Sequence, residues 1–114
     1  MDFGAVIGVI VTAAVGIICI VLGIINSKGD ISSLHSYHRS RVKEEDVLPF
    51  GRMIGLGTII IGATIVVYSG FLLAAELFGT IAFANVGIII MAIGIIAGLV
   101  ITFYAMKKYN GGIF

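Results

Sequence analysis

Three long runs of uncharged, mostly apolar residues dominate the pattern of the chain: residues 3–27, 53–75 and 77–106. Each run is longer than the roughly 20 apolar residues with which an α-helix crosses a bilayer core of about 30 Å. Lipid offers no hydrogen-bond partners, so a spanning segment must satisfy its own backbone groups, as a helix does. The runs also lack the alternating hydrophobicity of barrel strands. The pattern therefore predicts three transmembrane helices.

We expect an all-α integral membrane protein in which residues 1–114 form a single membrane domain. The predicted spans are about residues 3–27, 50–76 and 80–106, and a polar, cytoplasmic loop at about residues 28–49 joins the first two. Within this loop, the spacing of Leu34, Tyr37 and His38 predicts a short amphipathic segment at residues 31–42 that lies at the level of the lipid headgroups. A solvated loop is the alternative.

Composition agrees with this assignment. Of the 114 residues, 60% are hydrophobic and 11% are charged, whereas a soluble domain averages about 25% charged residues. These fractions exclude a soluble protein of this size.

The basic residues predict the orientation of the protein in the cell membrane. Cytoplasmic segments of membrane proteins carry an excess of Lys and Arg. Five of the seven basic residues lie between the first two helices and two follow the third: Lys28, Arg39, Arg41, Lys43, Arg52, Lys107 and Lys108. We therefore expect the loop and the C-terminus in the cytoplasm, and the N-terminus and Glu76 outside. Because Met-Asp-Phe is not a basic n-region, the first helix is expected to remain as an anchor.

Small residues recur along each predicted span at intervals of four and seven. Such positions let two helix backbones approach closely, which favours association in lipid. The predicted packing positions are Gly8, Gly16, Gly23, Gly55, Gly62, Gly87, Gly94 and Gly98. We expect these faces to pack the protein into a homo-oligomer or onto a membrane partner. Cys19 stands alone within its span and is interpreted as an inert, small apolar residue.

His35 and His38 would share one face of a helix in the loop. Histidines at this spacing are a weak candidate metal half-site that Glu44, Glu45 or Asp46 could complete, but no HExxH or CxxC motif accompanies them. A pH-sensing pair is a second alternative. The favoured interpretation is contact with a partner or with anionic lipid headgroups. This predicted contact set comprises His35, Tyr37, His38, Arg39, Arg41 and Lys43. No cofactor and no nucleic acid is predicted.

The acidic triplet Glu44, Glu45 and Asp46 directly precedes the second span. Carboxylates stabilise a helix N-terminus, and Asp46 is the best candidate for the N-cap. Pro49 then falls in the first turn, where its missing N–H removes no helical hydrogen bond. A carboxylate cluster that binds a cation or a partner is the alternative.

Two short segments follow the first, uncharged helix and lead into the second and third helices. They are Val42-Lys43-Glu44-Glu45-Asp46 and Gly51-Arg52-Met53-Ile54-Gly55. In this arrangement the chain resembles a family of small, functionally uncharacterised three-helix membrane proteins of bacteria. The resemblance implies the architecture and a bacterial origin, and it implies no activity.

No Asp, Glu, Lys, Arg or His lies at the middle of any predicted span, which disfavours proton relays and coupled transporters. We therefore expect a small structural or accessory membrane protein. The alternative is an oligomeric channel or small-solute transporter, whose pore would be lined by Thr12, Thr58, Thr64, Ser69 or Asn85. Helical hydroxyls can instead bond to carbonyls of the preceding turn. An enzyme is not expected, because no nucleophile, base and orienting group share one depth.

Overall fold

The computed structural model describes residues 2–31 and 42–111. These residues form three α-helices, α1 (Phe3–Ser27), α2 (Val47–Phe78) and α3 (Ala82–Tyr109), and a short 3-10 turn at Glu44–Asp46. All three helices are long and apolar enough to cross a membrane. The prediction of an all-α protein with three transmembrane helices is confirmed, and the chain is a multi-pass membrane protein. The predicted amphipathic segment at residues 31–42 lies almost wholly outside the described residues.

The helices extend beyond the predicted spans at several ends. α1 covers the predicted residues, whereas α2 begins before residue 50 and ends after residue 76, and α3 runs from residue 82 to residue 109. Hydropathy marks the part of a helix that contacts lipid, but the helix continues until its backbone turns away. α2 ends where Gly79 adopts φ +67°, and the Thr80 N–H there donates to the Ala75 carbonyl oxygen at 3.1 Å. Glycine favours this left-handed conformation at a helix C-terminus.

An acidic residue occupies the N-cap position of both α1 and α2. Asp2 caps α1 with its side chain, because its Oδ1 accepts a hydrogen bond from the Ala5 N–H at 2.7 Å. Asp46 is the N-cap residue of α2, as predicted, but its side chain makes no capping hydrogen bond. Its φ of −98° and ψ of −5° continue the 3-10 turn into the helix, whereas a capping side chain needs an extended backbone. Pro49 lies in the first turn of α2, as predicted.

α2 is the central helix, and α1 and α3 each pack antiparallel along it with little contact between themselves. The small residues of α2 explain this arrangement. Gly55 and Gly62 face α1, whereas Gly57 and Thr64 face α3. The two pairs are offset by two residues, which corresponds to about 200° around an α-helix. The flanking helices therefore lie on nearly opposite sides of α2.

The antiparallel order places every Lys and Arg of the described residues at one end of the bundle, together with Asp30, Glu44, Glu45 and Asp46. The basic end holds the basic side chains of the described residues, namely Lys28, Lys43, Arg52, Lys107 and Lys108. The acidic end holds Asp2 and Glu76. Between the ends, large aliphatic side chains such as Ile10, Ile93 and Val100 remain at least 60% exposed. A hydrophobic surface of this extent requires lipid or another membrane protein around it.

The buried core lies at the basic end. Phe50, Ile54, Ala105 and Met106 are nearly or fully buried there between α2 and α3. The rings of Phe50 and Tyr109 meet edge to face with their centroids 6.2 Å apart, a favoured aromatic geometry. This core fixes the C-terminus of α3 against the start of α2.

Candidate functional site

Glycines bring the backbones of α1 and α2 into direct contact. A Cβ built on Gly16 would lie 2.8 Å from the Gly62 carbonyl oxygen, and a Cβ on Gly62 would lie 2.6 Å from the Gly16 carbonyl oxygen. Gly23 and Gly55 repeat this reciprocal contact one heptad further along, with 2.7 Å from a Gly23 Cβ to the Gly55 carbonyl oxygen. Real Cβ atoms do not approach other atoms so closely, so only glycine fits at these positions without a backbone shift.

The contact between α2 and α3 follows the same principle on the other side of α2. A Cβ on Gly57 would lie 2.7 Å from the Gly98 carbonyl oxygen, and a Cβ on Gly98 would lie 2.6 Å from the Gly57 carbonyl oxygen. Gly94 accommodates the side chain of Thr64, and Gly87 that of Phe71. Glycine thus allows close approach along both sides of the central helix.

Seven of the eight predicted packing glycines meet another helix of the same chain. The exception is Gly8, where a Cβ would have no neighbour within 4 Å. Gly51 also lies at a close contact, with Asn26, and so does Gly57, which was absent from the predicted set and contacts α3.

Every serine and threonine inside the three helices donates its hydroxyl to a carbonyl oxygen of its own helix. The distances are 2.6–3.0 Å, and the donors are Thr12, Ser27, Thr58, Thr64, Ser69 and Thr102. Asn85, the remaining residue predicted to line a pore, is exposed at the start of α3. The hydroxyls of the three helices are therefore explained by bonds within their own helices.

The basic end anchors both ends of the polar loop. Ile31 and Val42, which flank residues 32–41, both pack against the buried core around Phe50 and Met106. Lys43 is exposed beside it. The other predicted contact residues, including the two histidines considered as metal ligands, lie outside the described residues: His35, Tyr37, His38, Arg39 and Arg41.

Two asparagines at the basic end were not predicted as core residues. Asn26 in the last turn of α1 is 2% exposed, and Asn110 at the end of α3 is fully buried. Throughout residues 2–31 and 42–111, each buried side-chain nitrogen or oxygen has a hydrogen-bond partner. The same part of the chain contains no group of three or more His, Cys, Asp or Glu residues that could hold a metal ion.

A groove of about 460 Å³ lies at the acidic end, between the start of α1, the end of α2 and the turn into α3. It is lined by Ala5, Gly8, Val9, Leu72, Ala75, Glu76, Gly79, Thr80, Ile81 and Ala84. Glu76 is the only ionisable residue among them. The sequence did not indicate this groove, because its lining comes from three separate segments of small and aliphatic residues.

Comparisons with family models, with curated proteins and with solved structures found no match to this chain.

Proposed function

We propose that this protein is a small structural or accessory component of the cell membrane that associates with copies of itself or with a larger membrane protein. The observation that carries the proposal is the set of hydrogen bonds made by the serine and threonine hydroxyls of the helices. Each one donates to a carbonyl oxygen of its own helix, between 2.6 and 3.0 Å away. A solute that crosses the bilayer needs polar groups to replace its hydration, and hydroxyls that bond within their own helix need no pore to explain them.

The charge distribution supports the same function. The uncharged stretches 53–75 and 77–106 cover most of α2 and α3, and α1 contains no ionisable residue other than Cys19 near its middle. Coupled transporters and voltage sensors rely on charged groups at this depth. A scaffold needs none.

Association would use the lipid-facing surfaces of α1 and α3. Most of the predicted packing glycines lie in the contacts between α1 and α2 or between α2 and α3 of one chain. They are therefore not free to contact a second protein. The outward faces of α1 and α3 carry large exposed side chains, among them Ile10 and Ile93. Van der Waals packing of such faces drives helix association in lipid.

The basic end would face the cytoplasm. Its exposed lysines, such as Lys43 and Lys107, are then positioned to contact anionic headgroups of the inner leaflet. The acidic end with Glu76 would face outward.

Two measurements on one reconstituted sample test this proposal. Native mass spectrometry from nanodiscs should detect an oligomer or a co-purifying membrane partner. Proteoliposomes should show no more ion or glycerol flux than protein-free liposomes. A strict monomer without a partner would contradict the association, and a flux above background that falls in Thr58→Val would favour the channel instead. Thr58→Val preserves the side-chain shape and removes only the hydroxyl.

Cysteine crosslinking locates the associating face. In a Cys19→Ala background, we expect copies with a cysteine at an exposed position, Ile10, Ile93 or Val100, to form disulfide-linked dimers at one or more of these sites. Ile54→Cys is the matched control, because Ile54 is only 1% exposed. Equal crosslinking at Ile54 would indicate unfolded protein rather than a specific interface.

A further inference from the structure

The groove at the acidic end has a polar mouth and an apolar floor. The register of α1 and α2 sets this order. Gly16 faces Gly62. Because the two helices are antiparallel, a position fourteen residues before Gly16 lies level with one fourteen residues after Gly62. This register places Asp2 level with Glu76. Gly8, Val9 and Leu72 line the groove at deeper levels. A molecule in the groove therefore meets the Glu76 carboxylate at the membrane surface and aliphatic side chains below it.

The charges at this end are of one sign. Asp2 and Glu76 are the charged side chains of the described residues there, and every described Lys and Arg lies at the basic end. A second copy in the same orientation would add further carboxylates at the same level, and like charges repel. The occupant that complements the groove must bring its own positive charge and an apolar portion.

The volume of the groove is compatible with such a molecule. Small-molecule sites typically enclose about 300–1,000 Å³ and are lined by apolar side chains with a few polar groups. The groove has about 460 Å³ and one carboxylate among mostly small or aliphatic residues. A Cβ on Gly8 would meet nothing within 4 Å, so the groove is open where a chain of methylene groups would pass.

We propose that the acidic-end groove binds an amphiphile with an ammonium headgroup, with the ammonium beside Glu76 and the alkyl chain against Gly8, Val9 and Leu72. An alkyl chain gains little hydrophobic free energy by moving from lipid into an apolar groove. Selectivity then comes from the shape of the groove and from the Glu76 carboxylate. The site is independent of the association described above.

Photolabelling in phosphatidylcholine nanodiscs tests this proposal directly. The probe is a dodecyltrimethylammonium analogue with a diazirine in its alkyl chain, and the labelled residues are mapped by mass spectrometry. We expect label at residues 5–9 and 72–76, and competition by unlabelled dodecyltrimethylammonium. A probe with the same chain and a sulfonate headgroup should label these residues much less.

Three variants separate the charge of the groove from its shape. Glu76→Gln should weaken the labelling about two- to fivefold, as expected for one exposed ion pair. Gly8→Leu should abolish it, because the new side chain fills the groove. Gly70→Leu is the matched control and should label like the wild type. Gly70 is also a helical glycine without neighbours within 4 Å of a built Cβ, and it is not among the residues that line the groove.

Several results would overturn the proposal. Equal labelling by the sulfonate probe, or unchanged labelling of Glu76→Gln, would show that the carboxylate does not select the ligand. Label spread evenly over the lipid-facing sides of all helices would indicate surrounding lipid only. Protection of the groove from both probes would indicate that another protein chain covers it.

Discussion

At the scale of single residues, glycines that lie inside similar apolar helices have different roles in the structure. Gly16 and Gly70 both lie inside apolar helices, but a Cβ on Gly16 would meet Val66 and the Gly62 carbonyl oxygen, whereas a Cβ on Gly70 would meet nothing within 4 Å. The sequence identifies both as small. It does not reveal which of them faces a second backbone, because that depends on the register between helices.

Gly16→Ala should destabilise the protein by about 1–3 kcal/mol, the typical cost of overpacking a close contact. Gly70→Ala should be neutral or stabilising by up to about 1 kcal/mol, because alanine favours a helix more than glycine does. The check is the midpoint of SDS-induced unfolding in mixed micelles, followed by near-ultraviolet circular dichroism. Equal midpoints for the two variants would contradict the contact between Gly16 and Gly62.

Asp2→Ala should loosen the first turn of α1. The Asp2 carboxylate accepts the Ala5 N–H, and loss of such a cap typically costs about 1 kcal/mol. Amide hydrogen exchange at Ala5 should therefore accelerate roughly fivefold. Asp2→Asn should largely preserve protection, since its amide oxygen can accept the same bond. Unchanged exchange in Asp2→Ala would exclude the cap.

At the scale of elements, α2 is a helix with two different packing faces. Gly55 and Gly62 contact α1, and Gly57 contacts Gly98 and Thr102 of α3. The two sets are interleaved in sequence but separated in space. α2 therefore holds the bundle together through two contacts that share no side chain.

Combined substitutions on α2 test this independence. Gly62→Ala and Gly57→Ala should each destabilise the protein, and their effects should add within about 0.5 kcal/mol, as expected for sites without shared partners. Gly62→Ala combined with Gly16→Ala should deviate from additivity, because both widen the same contact. Double-mutant cycles in the same SDS titration measure both quantities. Strong coupling between Gly57 and Gly62 would contradict two separate faces.

The sequence predicted the number and type of the elements because lipid leaves a long apolar run no alternative to a helix. It was less accurate at the ends of the helices. Asp46 has the right residue type for a cap, but its backbone conformation places it in a 3-10 turn. The acidic-end groove was not predicted, because residues as distant as Val9, Leu72 and Ala84 meet there only through the register of three segments.

At the scale of the whole molecule, the antiparallel order of the helices separates a basic end from an acidic end. The connection of residues 79–81 between α2 and α3 lies at the acidic end, and Lys43 is exposed at the opposite end. The positive-inside rule predicts that the basic end faces the cytoplasm. The two ends should therefore differ in access from outside the cell.

In a Cys19→Ala background, Thr80→Cys should react with a membrane-impermeant maleimide added to intact cells. Lys43→Cys should react only after the membrane is permeabilised. Thr80 and Lys43 are both exposed, so a difference in labelling reports the side of the membrane rather than burial. Labelling of Lys43→Cys in intact cells, with Thr80→Cys protected, would reverse the orientation.

The placement of α1 and α3 on opposite sides of α2 has a consequence for biosynthesis. The glycine contacts between α1 and α2 involve no residue of α3. This pair can therefore pack in the membrane before the third helix joins it. α3 then joins the side of α2 that α1 leaves free, so the chain is completed by addition, without rearrangement of the helices already inserted.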